Sequence, residues 1–399
     1  MTISTFEVLV VGGGPAGLTA AIALAGAGVE TALVARPHSD PDHRTSALLA
    51  GSVEALDTLG VWQRCRAQAA PLRVLRIIDD TGGLLRAPEA CFAASEIGLD
   101  AFGHNIENRI LIAALEARVH ELPALARIED EVGTVEIEDG EITLGLRSGA
   151  ALSARLAIAA DGRRSSCRAA AGIEIDRRIY PQTALTFNLR HSRPHHDTSS
   201  EFHTRTGPFT LVPLPGQRSS LVFVVDPAEV ARLCALAGAD MAAEIERRSH
   251  SILGRIEVEP GRGVFPLVAE TARHFGARRI TLVGEAAHVV APIGAQGLNL
   301  GLRDAATIGE LVVAAHREGR DVGGVTEHYE AMRRADIAGR TLAVDFLNRS
   351  LLSDFLPLQG ARGLGLFLMQ HVGPLRRAVM REGVAPLASQ PRLMRGEAL

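Results

Sequence analysis

Phe6-Glu7-Val8-Leu9-Val10-Val11-Gly12-Gly13-Gly14-Pro15-Ala16-Gly17-Leu18-Thr19-Ala20-Ala21 is the stretch that decides the fold. Residues 6–11 form a short apolar, β-branched run, the pattern of a parallel strand covered on both faces. Gly12, Gly13, Gly14, Pro15, Ala16 and Gly17 turn the chain, and the Ala-rich residues 18–27 read as a helix closed by Gly28. Residues 29–35 read as a second strand. Together they make a β-α-β unit of about 30 residues, which crosses over right-handed. In the spacing Gly12-x-Gly14-x-x-Gly17, Gly12 permits a tight turn and Gly14 lets the backbone approach a pyrophosphate. Gly17 lets the helix pack closely on the strand, and the helix N-terminus offers N–H donors and positive potential to phosphates. The expectation is a dinucleotide site; a purely structural glycine turn is the alternative.

The same stretch has to be weighed against a membrane span. Residues 8–29 carry no charge, and 22 such residues are long enough to cross a bilayer. Gly12 to Pro15 breaks any single helix there, and Glu7 stands where a signal would carry basic residues. No other stretch reads as a span or signal, so a soluble, cytoplasmic chain is expected. Outward from the second strand, an acidic residue would normally grip the adenosine ribose. That place falls at Ala35-Arg36, and neither is acidic. Arg36 either contacts the adenine or pyrophosphate or is a solvated arginine.

A second glycine-rich turn lies far along the chain. Gly284-Glu285-Ala286-Ala287-His288 runs through Pro292 to Gly294-Ala295-Gln296-Gly297-Leu298-Asn299, where a strand ends, a carboxylate follows and another helix opens. Two helix N-termini in one nucleotide domain suit two anionic parts of one long cofactor. The third motif, Asp161-Gly162-Arg163-Arg164-Ser165-Ser166-Cys167-Arg168, also sits at a strand end.

Between these motifs, residues 52–59 and 108–120 read as helices and 72–78, 137–146 and 152–159 as strands, with a hairpin turn at Asp80-Thr81-Gly82-Gly83. From 180 to 265 the texture becomes alternating, turn-bounded strands with one helix at 239–250. The parallel pattern returns at 279–284, helices follow near 298–316, 325–352 and 365–381, and the last ten residues read as frayed.

Length and composition set outer bounds. At 399 residues two or three domains are expected, and 47% hydrophobic with 22% charged residues is ordinary for a globular protein. Lys+Arg of 42 against Asp+Glu of 46 gives −4, which argues against a duplex nucleic-acid binder. Four scattered cysteines, Cys65, Cys91, Cys167 and Cys234, form no CxxC pair and suit a reducing compartment. His191, His195, His196 and His203 with Asp197 could be drawn as a metal site, but Pro194 and Ser199-Ser200 mark a loop and no metal is expected. His288 reads as a packed histidine or a proton relay.

With its three motifs taken together, the chain resembles the flavoprotein aromatic hydroxylases of the para-hydroxybenzoate hydroxylase fold, most closely the branch that acts in ubiquinone biosynthesis. His43-Arg44-Thr45-Ser46-Ala47-Leu48 resembles the family's Arg-x-x-Ala-Leu helix, followed by Leu59-Gly60-Val61-Trp62. Ile106-Glu107-Asn108 is similar to the start of its helix beside FAD, and Gly207-Pro208-Phe209 through Pro213-Leu214-Pro215 to its substrate-domain strand. Gly294 to Asp304 is the most specific stretch, and Arg362-Gly363-Leu364-Gly365-Leu366 also fits.

The resemblance implies an α/β fold with a discontinuous, Rossmann-like FAD domain at 1–70, 104–178 and 266–345. A mostly antiparallel substrate domain would take 71–103 and 179–265, and helices 346–399. It implies FAD, with Gly12, Gly13, Gly14, Pro15, Ala16 and Gly17 at the pyrophosphate and Arg44 and Asn108 as further contacts. Gly284 and Glu285 would reach the ribityl chain, Glu285 replacing the family's aspartate. Gly297, Leu298 and Asn299 would offer N–H groups to the flavin's pyrimidine edge. Asp161 and Arg168 would lie near the pyrophosphate and the path of NAD(P)H or another donor, and Pro292 near the reactive carbon.

The implied reaction is hydroxylation of a prenylated phenol by O₂ through a flavin C4a-hydroperoxide. A small soluble phenol or polyketide, a flavin reductase and an FAD-binding accessory subunit are the alternatives. Residues 351–369 are Leu/Phe-rich and read as core or as a lipid-facing surface, the latter implying peripheral contact with the inner membrane face or a quinone-biosynthesis complex.

Overall fold

Strand Ile3–Val11 lies between two parallel neighbours, Val8 pairing with Leu156 on one side and Thr31 on the other. Its inner residues Val8, Leu9 and Val10 are fully buried, as the continuous apolar run requires. The computed structural model describes residues 3–37, 42–83, 88–291, 294–352, 372–384 and 390–399. Pro292 and nearly all of the 351–369 stretch lie outside them.

The first sheet runs in the order Gly276–Ala277, Ile280–Leu282, Ala151–Ala159, Ile3–Val11, Thr31–Val34, Leu125–Ile128. Strands Ile142–Leu146 and Val132–Ile137 extend it as an antiparallel meander from Ala151–Ala159. Helices Pro15–Gly26, Asn108–Val119 and Gln296–Arg317 pack together beside it. This is the α/β frame expected from the β-α-β unit.

The second sheet is mostly antiparallel. Its order is His288–Val289, Gly263–Ala272, Ile175–His191, Arg218–Val225, Gly207–Leu214, Thr198–Thr204, Val74–Asp79, Ala90–Ala93. One face carries Leu185, Phe187, Phe209, Leu211, Leu221 and Phe223 into a core with Met241 and Ile245 of helix Gly238–Arg248. A small third sheet, Thr45–Leu49, Gly103–Glu107 and Ala70–Pro71, sits between the two larger ones.

Two local expectations are corrected. Residues 45–49 form a strand, Thr45–Leu49, and the helix begins only at Ala50. Pairing of Ala47 with Asn105 holds this segment extended. The last ten residues are docked rather than frayed. Leu393 and Met394 are buried, Met394 lies against Gly51, and the Arg392 N–H donates to Glu310.

Candidate functional site

The first turn allots its glycines different tasks. Gly12 has φ +117°, and a Cβ there would lie 2.1 Å from the Ala160 carbonyl oxygen. A Cβ at Gly17 would lie 2.1 Å from the Gly12 carbonyl oxygen. Both are wedged against backbone. Gly14 is different: its Cβ would meet nothing within 4 Å. It is the N-cap of helix Pro15–Gly26, and no side chain caps that helix. The first-turn N–H groups therefore have no acceptor within the helix, beside open space at Gly14.

The second turn is packed directly onto the first. Gly284 has φ +62°, and a Cβ there would come 3.2 Å from the Ala16 Cβ. At Gly301 it would come 3.2 Å from the Gly284 Cα and 3.3 Å from the Ala16 Cβ. Small residues at these positions let helix Gln296–Arg317 close on helix Pro15–Gly26. The N-cap of the long helix, Ala295, is left-handed with φ +54°, a conformation that costs a non-glycine residue about 1–3 kcal/mol.

Asn299 supports that turn. Its Nδ2 donates to the carbonyls of Ala295 at 2.6 Å and Ala47 at 2.8 Å. Its Oδ1 accepts from the Leu49 N–H at 2.8 Å and the Ser52 hydroxyl at 2.6 Å. The side chain thus fixes the helix N-terminus to strand Thr45–Leu49, while Gly297 and Leu298 occupy the uncapped first turn. Two such N-termini, joined through Ala16, Gly284 and Gly301, suit two electron-rich parts of FAD, its pyrophosphate and its flavin ring.

The charged residues arrange themselves around these turns. Glu285 is exposed, and its charge acts on both Arg44 and Arg163. Arg44 donates to Asp42 through Nε at 2.9 Å and Nη2 at 2.8 Å, and its guanidinium lies 5.6 Å from the centre of the Phe265 ring. The Asn108 Nδ2 donates to Asp42 at 3.0 Å, and its Oδ1 accepts from Ser46 at 2.7 Å. Burial opposes ionisation of Asp42, but Arg44 and Asn108 outweigh it and hold the carboxyl below its ordinary value.

Asp161 accepts from Ser166 N–H at 2.9 Å, while its buried Oδ1 has no partner among the described residues. Arg168 turns inward, donating to the carbonyls of Ala286 at 2.8 Å and Arg163 at 2.6 Å, and so ties the third motif to the second. Arg36 is largely exposed, 3.9 Å from Glu131.

Sequence reasoning missed the hub beneath the second turn. Asp304, fully buried, accepts from the Gly284 N–H at 2.9 Å, His288 Nε2 at 2.7 Å and Arg333 Nε at 2.7 Å. Arg333 also donates to Asp336 at 2.6 Å. His288 is therefore packed on a carboxylate under the glycine turn. The sequence signal was the carboxylate at the end of Gly294–Asp304, read as motif without a task.

A second group, also missed, joins the sheets. Arg218 donates to Glu259 at 2.7 and 2.6 Å and to Glu107 at 3.0 Å, just before Asn108. The Asn105 Nδ2 donates to Pro213 at 2.9 Å, and the Thr45 hydroxyl to Ser220 at 2.9 Å. Three of the four histidines drawn as a metal cluster have other partners. His191 bonds to the Arg193 carbonyl and Ser219, His195 to the Leu214 carbonyl, and His203 to Glu201.

Because Glu285 is exposed and flanked by two arginines, Glu285→Ala is expected to weaken FAD by about 1.5–3 kcal/mol, the range for a hydrogen bond to a charged group. Titration of the apoprotein with FAD measures this; an unchanged dissociation constant removes Glu285 from the site.

The sequence profile of the FAD binding domain family matches residues 5–342. The chain is 36% identical to "Ubiquinone hydroxylase UbiL" of Rhodospirillum rubrum, over 98% of this chain and 92% of that protein. It is 30% identical to "3-demethoxyubiquinol 3-hydroxylase" of Escherichia coli, over 96% and 99%. Among solved structures, p-nitrophenol 4-monooxygenase PnpA of Pseudomonas putida superposes with a TM-score of 0.76 at 23% identity, over 95% and 97%. Klebsiella pneumoniae HpxO complexed with FAD and uric acid gives 0.75 at 19%, over 96% and 97%. These two share its fold.

Proposed function

The chain belongs to the FAD binding domain family, and on that premise we propose that it hydroxylates the ring of a polyprenyl phenol in ubiquinone biosynthesis. It is a flavin-dependent monooxygenase. The observation that carries the site assignment is the locking of two uncapped helix N-termini through Ala16, Gly284 and Gly301. The names of the Rhodospirillum and Escherichia relatives support the substrate class.

FAD, when bound, supplies electron transfer and oxygen activation; the chain supplies binding, orientation and electrostatics. Gly12 to Gly17 would hold the pyrophosphate at the first helix, with Arg44 and Asn108 as further contacts. The N–H groups of Gly297, Leu298 and Asn299 would stabilise negative charge at the flavin's pyrimidine edge. Glu285 would take the ribityl chain. Asp161 and Arg168 would shape the approach of NAD(P)H or another donor, and Arg36 would contact the adenine or the pyrophosphate. The junction of the sheets keeps water from the reacting ring.

Among the described residues no helix is long and apolar enough to cross a membrane. A long-tailed phenol must then be taken from a bilayer or a partner complex, and helix Gly373–Val384 is suited to the bilayer. Met380 and Arg376 face inward, Met380 into a core with Phe92 and Phe102, and Arg376 onto Glu96 at 2.5 Å. Val372, Leu375 and Val379 recur at helical spacing on an exposed side, and Arg377 and Arg381 are exposed elsewhere on the same helix. An exposed apolar stripe on a helix that also carries arginines suits an anionic lipid surface.

Leu375→Glu combined with Val379→Glu is expected to lower binding to phosphatidylglycerol vesicles roughly tenfold. Turnover of a long-tailed substrate should fall more than that of a short-tailed one. Equal losses on both would remove this face from substrate capture. Point variants test it better than truncation, which would also remove the docked Leu393 and Met394.

The reading as a whole is tested by mass spectrometry of quinone intermediates in a deletion strain, together with oxygen consumption by the purified enzyme. Accumulation of an unhydroxylated prenyl phenol is expected; normal quinone content, with no phenol-dependent oxygen uptake, overturns the reading.

A further inference from the structure

The second sheet has a face that its core does not use. Residues paired directly across strands point to the same face. Thr186 pairs with Val222, Val222 with Thr210, and Thr210 with Glu201. All four lie opposite the face that carries Phe187, Phe209, Leu221 and Phe223 into the helix-covered core. All four are also partly exposed, in the middle of a nine-stranded sheet.

Ala184 and Val224 on one side are buried, and so are Asn188 and Ser220 on the other, where Val212, paired with Ser220, stays partly exposed. What remains is a trough straight across four strands, about 14 Å long at about 4.8 Å per strand spacing.

Its surroundings place it at the site already described. Ser220 accepts from Thr45, and Asn188 donates to the His43 carbonyl at 3.4 Å, so this face looks toward the segment that carries Arg44. Helix Thr326–Leu352 and strand Gly103–Glu107 both come close to strand Gly207–Leu214, and Asn105 of that strand donates to Ser220 on this face. One end of the trough opens at Gly263, paired with Thr186, where a Cβ would lie 2.4 Å from the Phe265 ring that stacks with Arg44. The other end is Glu201.

Glu201 is held ready to accept. Its Oε1 takes a hydrogen bond from His203 Nε2 at 2.7 Å, and the Thr210 hydroxyl approaches Oε2 at 3.4 Å. A carboxylate offers about four acceptor directions, so two fixed contacts leave it able to take another donor. The trough walls are a valine and two threonines, which suit an aromatic ring.

We infer that Glu201, at the end of the trough where the substrate ring would lie, accepts the hydrogen bond of the ring hydroxyl, which makes Glu201 the residue that selects a phenol over a ring with a carboxylate in the hydroxyl's place. This deepens, and rests on, the aromatic-hydroxylase reading above. A phenol O–H donates a charge-assisted bond to the carboxylate. A ring with a carboxylate in the hydroxyl's place brings two like charges together in a partly dry trough. Asp79, in register with His203, adds negative charge at the same end.

The FAD-loaded oxidised enzyme can be titrated with 2-methoxyphenol and with 2-methoxybenzoate, which carries a carboxylate in place of the hydroxyl, following the flavin absorbance. The wild type should bind the neutral phenol at least about tenfold more tightly, about 1.4 kcal/mol. Glu201→Gln keeps the size and the His203 contact. It should weaken the phenol and bring the two dissociation constants to within about twofold, since it removes the like charge. Val222→Phe fills the trough and should abolish both perturbations with flavin content unchanged. An unaltered ratio in Glu201→Gln, with phenol binding intact, overturns the assignment of Glu201 alone. Unaltered phenol binding in Val222→Phe overturns the trough. If neither compound perturbs the wild-type flavin, the aromatic-hydroxylase reading falls, and this inference with it.

Discussion

Gly14→Val is expected to give a folded protein without flavin. The backbone at Gly14 is extended, φ −70° and ψ 168°, which any residue adopts, and an added Cβ meets nothing within 4 Å. The fold therefore has no objection to a side chain. The ligand does, because the open space is where phosphate oxygens reach the helix N-terminus. A branched side chain would separate the two, and a loss of at least about 100-fold in FAD affinity, about 2.7 kcal/mol, is expected. Flavin absorbance after gel filtration reads the loss. Thermal unfolding of the variant should match that of the wild-type apoprotein. Gly12→Ala and Gly17→Ala make the contrast, since each drives a Cβ to 2.1 Å from a backbone oxygen and should impair folding itself. A yellow Gly14→Val protein with an unchanged FAD titration would place the cofactor elsewhere.

The second large effect belongs to Asp304. Removing one partner of a buried ion pair typically costs about 3–5 kcal/mol, because the other charge is left without compensation. Asp304→Ala would leave Arg333, only 3% exposed, with Asp336 but without its fully buried partner, and the Gly284 N–H without its acceptor. Chemical denaturation should show a loss toward the lower end of that range, with weaker FAD binding because the Gly284 turn loses its anchor. The pH dependence has a defined sign. Burial alone would raise the Asp304 pKa, but His288 and Arg333, with the Gly284 N–H, hold it below the ordinary value. A carboxylate so depressed stabilises the fold above its unfolded pKa of about 4 and loses that contribution as pH falls through the folded value. The wild type should therefore lose stability below about pH 4 more steeply than Asp304→Ala. Parallel acid-unfolding curves would show that Asp304 does not carry this linkage.

How much was legible follows from what each feature needs. Gly12 and Gly17 were readable because only glycine fits against the Ala160 and Gly12 carbonyls, so composition and spacing state the constraint directly. The parallel strand Ile3–Val11 was readable because burial on both faces leaves a continuous apolar run. The partners of Asp304 were not, since Arg333 lies 29 residues on and Gly284 20 residues back, with nothing local to pair them. The Arg218–Glu107 contact spans 111 residues. The trough is a property of cross-strand register, and Thr186, Val222, Thr210 and Glu201 share no sequence pattern. Residues 45–49 misled because the resemblance placed the Arg-x-x-Ala-Leu motif in a helix, whereas the pairing with Gly103–Glu107 holds them extended. The docked C-terminus misled because its apolar pair, Leu393-Met394, is too short to register as a pattern.

The closeness of Ala16, Gly284 and Gly301 bears on how the protein is made. A ribosome delivers about 5–20 residues per second. Strand Ile3–Val11 waits for Ala151–Ala159 to become its neighbour, a delay of roughly 7–30 s at that pace. The nucleotide cradle waits longer, until the long helix ending at Arg317 has emerged. Through that interval the apolar first strand and helix are without their final cover, and the cradle cannot close around a nucleotide. Flavin loading is thus an event of the finished or nearly finished polypeptide. Vitamin supply during expression should alter the coloured fraction of the product more than the rate at which chains are released.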